Sequence, residues 1–451
     1  MKDPNRYLFP AFLIVLGLTA AAAVALLLGG GRRVAGGWDR KPGEIIFTGW
    51  GGPEEKAVFR TLVDEFEREN PDIHVRYIQV PQNYMQKLQI MMAGGTPPDV
   101  FYIPDGDFPA FVVKDAMCPL TDFIAKSAVI KLPEFWPSAL SRYRYDPAER
   151  MLGRGTLYAL PKDIGPFAMY YNKDLFRRGG IPFPSATKPY TWDEAVTVWK
   201  RLTVPNRKYP RVMDQFGIAA FTWESAVWSL GGEVISKDGR RFMMADDPRT
   251  VEGMQWVADL ALKYHCAPTP RESRSFDPGP MFDTGKLACI ITGRWAVPHY
   301  RTLNFDWDVA PIPVNPRTRK PAGWSGSVGL GIARDCPNKA AAWRFVEFLA
   351  GPRGQAVQSL QGFQIPNQRA LAYTDVFLQR DKRPRHAEVF IQGAINQRPG
   401  IATLAPTTEW LDEFGQRMTP VWDGRLSAAK GLKLMKPYVQ KGLDNSWQMD
   451  Q

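Results

Sequence analysis

At 451 residues the chain exceeds what one hydrophobic core ordinarily supports and suits two domains of roughly 150–200 residues each. Its 45% hydrophobic and 23% charged content excludes an intrinsically disordered chain. The formal net charge of +11 comes from basic residues scattered along the sequence, with no Lys/Arg-rich block and no nucleic-acid-binding motif, so a nucleic-acid partner is not expected.

The chain opens with Leu8 to Leu28, 21 residues without a charge. That length spans a bilayer as a helix, which needs about 20 residues. The Gly-rich run from Gly29 that follows contains neither an A-x-A cleavage site nor a lipobox cysteine. A retained membrane anchor is therefore expected rather than a cleaved signal peptide. Residues 29–42 read as a short tether.

Glu44 to Trp50 reads as a strand ending in a Gly-rich turn, and Pro53 starts a helix with Val58, Phe59, Leu62, Val63 and Phe66 at helical spacing. His74 to Val80 alternates as a strand does, and Asp99 to Ile103 is a further strand after Pro97-Pro98. Strand and helix in alternation predict a parallel sheet covered on both faces. Thr191-Trp-Asp-Glu194 is a capping box, and Asp247-Pro248 places an N-cap and an N1 proline before another helix. Ala341 to Leu349 is a third amphipathic segment, stopped by Gly351-Pro352.

Catalytic signatures are missing: the chain has no G-x-S-x-G, no H-E-x-x-H and no P-loop. Cys118, Cys266, Cys289 and Cys336 show no C-x-x-C spacing, and only four His are available, so no metal and no cofactor is expected. One or two disulfides remain open as pairings that sequence does not specify. A high count of 15 Trp is more informative, because flat rings are what a sugar's apolar C–H faces stack on.

Six segments occur in a telling order: Gly94 to Val100 (GGTPPDV), Tyr170 to Phe176 (YYNKDLF), Asp283 to Trp295 (DTGKLACIITGRW), Trp307 to Pro313 (WDVAPIP), Gly329 to Ile332 (GLGI) and Pro337 to Phe345 (PNKAAAWRF). Together they resemble the family 1 extracellular solute-binding proteins, the maltose-binding-protein-like sugar receptors of ABC importers, from about Glu44 to about Ala370. The resemblance implies an α/β fold of two discontinuous lobes joined by a hinge, preceded here by one transmembrane helix. By alignment of motifs, residues 1–42 are anchor and tether, 43–158 with 328–366 form lobe 1, 159–327 with 367–446 form lobe 2, and 447–451 are a tail. Crossovers are expected near Leu160-Pro161, Ser327-Val328 and Pro366. The ligand would lie between the lobes at the C-terminal ends of the strands.

That placement nominates the candidate ligand-binding residues. Trp295 matches a family position that stacks on sugar, and Asp163 matches a cleft loop after the hinge. Asp105 and Asp107 follow the third strand, and Trp50 closes the first. Trp223 is assigned to the cleft and Trp228 to the core, since their spacing does not put both on one helix face. Trp324 precedes a crossover, Trp410 reaches the cleft in some relatives, and Arg294 is able to fork two hydroxyls. The implied partners are a mono- or oligosaccharide and the permease subunits of an ABC importer. The protein is expected to act as a monomer, outside the cytoplasm, as a binder and not an enzyme. A polyamine receptor is the main rival, because acids beside aromatic rings also suit polyamines. A membrane-anchored sensor is a second alternative.

Overall fold

The computed structural model describes residues 38–209, 212–275 and 277–448. The expected membrane anchor, Leu8 to Leu28, lies outside them. Among the described residues no helix is long and apolar enough to cross a membrane. Residues 38–41 and 85–97 group apart from the rest, and there Trp38 Nε1 donates to the Pro97 carbonyl at 3.0 Å. All that follows concerns the larger unit, from Pro42 to Tyr84 and from Pro98 onward.

Fifteen strands are described: β1 Glu44–Gly49, β2 His74–Gln79, β3 Val100–Pro104, β4 Arg144–Asp146, β5 Met151–Leu152, β6 Thr156–Leu157, β7 Ala159–Pro161, β8 Gly165–Asn172, β9 Val204–Pro205, β10 Met213–Ala219, β11 Leu287–Gly293, β12 Trp307–Ala310, β13 Trp324–Gly326, β14 Val328–Ile332 and β15 Arg398–Pro399. They build two large sheets. The first runs β2-β1-β3-β14-β7, with β1 parallel to β2 and β3 and with β14 antiparallel to β3 and β7. The helix Pro53–Glu69 buries Val58, Phe59, Leu62, Val63 and Phe66, the five positions its periodicity marked. Phe47 of β1 stacks on Tyr77 at 5.0 Å and meets Phe345 edge-on at 5.2 Å, so helix Lys339–Ala350 joins the same core.

The second sheet runs β15-β13-β8-β11-β10-β9, with β12 also paired to β8. Strand β8 is buried at every position, as expected of a central strand covered on both faces. Thr191 and Glu194 form the reciprocal capping box, and Asp247 accepts from the Arg249 amide before Pro248. The C-terminal helices Glu409–Trp422 and Ala428–Gln448 close this lobe, packing Trp410, Phe414, Met418, Leu432 and Leu443 into one cluster. Strands β5-β4-β6 make a small third sheet on the first lobe's chain segment. All four cysteines are buried, and no disulfide joins any two of them.

The lobe boundaries differ in detail from those expected. Ala159–Pro161 was assigned to the second lobe, but as β7 it pairs with β14 in the first sheet, so the crossover is residues 162–164. The chain crosses back at Ser327, between β13 and β14. A third connecting segment, residues 364–368, runs beside the first: Ile164 bridges Ile365, and Gln364 Nε2 donates to the Lys162 carbonyl at 3.0 Å. Trp136 and Ala139 were assigned to the first lobe, yet they join the second lobe's core, and Trp136 Nε1 donates to the Pro366 carbonyl.

Candidate functional site

Topology alone places two strand-end edges face to face. In the first sheet the C-terminal ends of β1, β3 and β7 and the start of β14 lie on one edge. In the second, the start of β8 and the C-terminal ends of β10, β11 and β13 do the same. The crossovers 162–164 and Ser327 join these very ends. The lobes meet there: a Cβ on Gly106 would sit 3.1 Å from the Ala402 side chain. Arg142 spans the junction, ion-paired to Asp105 and donating to the Ser325 carbonyl and, at 2.5 Å, to Ser325 Oγ.

On the second lobe's edge the sequence-predicted rings gather. Trp295 follows β11 and is 46% exposed, unusually open for an indole. Its ring lies over Gly165 and Gly293, where a Cβ would fall 2.9 and 2.1 Å from ring atoms, so only glycine permits this pose. Phe167 meets Trp295 edge-on at 5.1 Å and Trp324 at 4.4 Å, which makes a row of three rings. Trp223 opens the helix Trp223–Ser229 after β10 and leans on Phe414 at 5.0 Å, half-buried. Beside it, burial pushes the Glu224 carboxyl up to about 7.

Across the junction Trp50 directly follows β1, edge-on to Tyr84 and Tyr102 at 5.0 and 5.1 Å. Asp107 is partly buried, and burial together with the nearby Asp105 charge raises its pKa. Asp105 is itself raised by burial and held down by Arg142, so it is engaged by the protein and not free for a ligand. Asp163 is engaged too: Oδ1 accepts from the Val328 amide at 2.8 Å and Oδ2 from Lys162 Nζ at 3.0 Å. Its role here is to lock two crossovers together.

Two nominated residues sit elsewhere. Arg294 is fully buried with its guanidinium over Phe377 and Phe390 at 4.8 and 5.4 Å, and none of its nitrogens has a hydrogen-bond partner among the described residues. Burial pulls it down to about 9, which leaves it charged at neutral pH but out of reach of a ligand's hydroxyls. Trp410 is also fully buried, packed against Gly442 in the C-terminal helix pair. The spacing Trp410, Phe414, Met418, Val421 was the missed signal, since it is a helical core stripe. Arg142 and Phe167 were not nominated. Phe167 was detectable as a ring near the start of β8, whereas the span of Arg142 across the junction gave no local sign because Asp105 and Ser325 lie 37 and 183 residues away, its one near partner being the Ser138 carbonyl.

Residues 50–356 match the family described as bacterial extracellular solute-binding protein, well over half of the chain. The chain belongs to that family. Among curated relatives, the maltotriose-binding protein of Pyrococcus abyssi is 25% identical over 304 residues, which cover 66% of this chain and 60% of that protein. The galactooligosaccharide-binding protein of Bacillus subtilis is 22% identical over 79% of this chain and 81% of its own. Among solved structures, an ABC substrate-binding protein of Listeria monocytogenes in complex with cycloalternan superposes with a TM-score of 0.76 at 22% identity, covering 89% of this chain and 99% of that one. The GacH receptor of Streptomyces glaucescens, solved unliganded and with acarbose, gives 0.73 at 19% identity, covering 90% and 99%. The fold of this solute-binding protein is therefore the two-lobed one its motifs implied.

Proposed function

We propose that this solute-binding protein is the extracytoplasmic, carbohydrate-capturing component of an ABC importer, and that it binds its solute without transforming it. The single observation that carries this reading is Trp295: an open indole, laid flat on two glycines at the strand-end edge between the lobes, in a row with Phe167 and Trp324. Such a row offers apolar faces to sugar C–H groups, while the part-buried carboxyls of Glu224, after β10, and Asp107, after β3, offer hydrogen-bonding groups at the ends of strands on the two facing edges. A few charge-assisted hydrogen bonds of about 1.5–3 kcal/mol each, with one or two stacked rings, account for micromolar binding near −8 kcal/mol after association costs. Sugar-binding relatives support the same class of cargo. Delivery is to membrane permease subunits, with the body outside the cytoplasm and the uncharged stretch Leu8 to Leu28 as its anchor.

The test is a thermal-shift screen of the protein with mono-, di- and oligosaccharides, glycerol-3-phosphate and polyamines, followed by calorimetry. A sugar that raises the melting temperature and binds at micromolar strength supports the reading. A polyamine as the sole hit overturns it in favour of a different cargo. Membrane fractionation before and after high-salt washing tests the anchor, which a protein recovered in the soluble fraction would exclude.

A further inference from the structure

A separate pocket lies at the far pole of the second lobe. Strand β8 starts at the edge facing the first lobe and runs about 23 Å to Asn172, at about 3.3 Å per residue. At that far end Asn172 pairs with Trp307, the first residue of β12, and the neighbouring loops open a pocket of about 720 Å³. Its size is within the roughly 300–1,000 Å³ of small-molecule sites. Lys173, Arg301, Lys382, Arg383 and Arg385 line it, with Asp306 and Asp381 as the carboxylates among the lining residues. Five cations against two carboxylates leave an excess of three positive charges.

The fold itself holds these cations together. Arg301, after the helix Val297–Tyr300, and Arg383 clasp one another's backbone. Arg301 Nε donates to the Arg383 carbonyl at 2.7 Å, and Arg383 Nη2 donates to the Arg301 carbonyl at 3.1 Å. Arg383 also donates to the Leu303 carbonyl at 3.2 Å and to the Phe305 carbonyl. Carbonyls satisfy the donors of a guanidinium but do not cancel its charge, and arginine stays protonated. The two carboxylates do not make up the difference. Burial raises the Asp306 carboxyl, yet its bonds to Arg177 at 2.9 Å and Lys173 at 3.1 Å outweigh that and hold it below the usual range. It is therefore already engaged. Asp381 is exposed and, like Arg301, Lys382, Arg383 and Arg385, forms no ion pair among the described residues. Burial pulls the Arg301 guanidinium down, and the Arg383 charge beside it adds to that effect against the pull of Asp381.

We propose that this pocket is a second ligand site, apart from the one between the lobes, and that it takes a phosphate-bearing anion of two or more charges. Guanidinium forks match phosphate oxygens in pairs, and ammonium groups add charge without direction. No hydrogen bond occupies Arg301 Nη1 or Nη2, or Lys382 Nζ, among the described residues, while Arg385 spends Nη1 on the Arg380 carbonyl at 2.6 Å. Those free donors stand on both loops of the clasp, so one anion reaches both. An uncharged sugar gains nothing from this excess of charge, which separates the occupant from the cargo. A soluble phosphate and a lipid headgroup present the same chemistry.

Calorimetric titration of the full protein with inorganic pyrophosphate tests the site, comparing wild type with the double variants Lys382→Gln/Arg385→Gln and Lys382→Arg/Arg385→Lys. Both side chains are exposed, so melting temperatures should stay near wild type. Wild type is expected to bind pyrophosphate at one site, and the neutral pair to weaken it roughly tenfold or more, as loss of two charge-assisted contacts implies. The charge-conserving pair should bind nearly as wild type does, and sugar affinity should be unchanged in both. Vesicles of phosphatidylglycerol or phosphatidylcholine, added as competitors, then distinguish the sources. Competition by the anionic vesicles alone identifies a lipid phosphate, and competition by neither identifies a soluble one. Folded wild type that does not bind pyrophosphate overturns the proposal, as does binding that the neutral pair retains. Either result leaves the carbohydrate reading standing.

Discussion

Three side chains carry distinct consequences at the residue scale. Trp295 is nearly half exposed, so its removal costs little core packing while taking away the stacking face. Trp295→Ala is expected to weaken sugar binding at least tenfold, about 1.4 kcal/mol, with a melting temperature close to wild type. Calorimetry beside a thermal melt separates the two effects, and undiminished affinity in a folded variant removes Trp295 from the site. Arg294 is the opposite case, a buried charge with no polar partner among the described residues. Replacing buried charges with apolar groups of similar volume is often neutral or stabilising by 1–4 kcal/mol. Arg294→Met should therefore leave urea stability unchanged or raise it, and a clear loss would show that the guanidinium has partners after all. Glu224, pushed up to about 7 by burial, titrates in the neutral range. Between its ordinary range near 4.5 and about 7 the folded state binds more protons than the unfolded one, so its contribution to stability falls as pH rises through that window. At 1.36 kcal/mol per pH unit this reaches up to about 3 kcal/mol above pH 7. Glu224→Gln is thus expected to raise the melting temperature at pH 8 more than at pH 4.5.

The element scale shows what was readable in advance. Helix Pro53–Glu69 and the capping box at Thr191 were legible because periodicity and capping are local, and both appear as read. Strand β7 was misassigned because three residues carry no period, and only pairing with β14, about 170 residues later, decides its sheet. The candidate site was legible in part for the same reason. Trp295 and Trp324 stand at turns next to glycines, whereas Asp105 and Asp163 look like free loop carboxylates until their distant partners arrive. Asp105 is the more consequential of the two. Its partner Arg142 has a wholly buried side chain, and removing one member of a buried pair costs about 3–5 kcal/mol. Asp105→Ala should lower stability in urea by about that amount, whereas a loss under 1 kcal/mol would mean that Ser138 and Ser325 suffice to satisfy Arg142.

At the scale of the whole molecule, a ligand that bridges both lobes favours the closed arrangement only by its differential affinity for that state. Saturating sugar at 100 times its dissociation constant should stabilise the fold by about 2.7 kcal/mol, a shift of several degrees on melting. Small-angle scattering is expected to show a smaller radius of gyration with sugar than without, and an unchanged radius would indicate lobes that do not move. The placement of β14 between β3 and β7 reaches further, into how the chain is made. A ribosome delivers β1 through β7 long before it delivers Val328, so the first sheet lacks the strand that joins β3 to β7 while the second lobe is still being synthesised. Contacts so distant in sequence form slowly. A chain that stays open until more than 330 residues have emerged is one that a translocation channel can still thread, and a version truncated before Val328 should fail to show the cooperative unfolding of the intact protein.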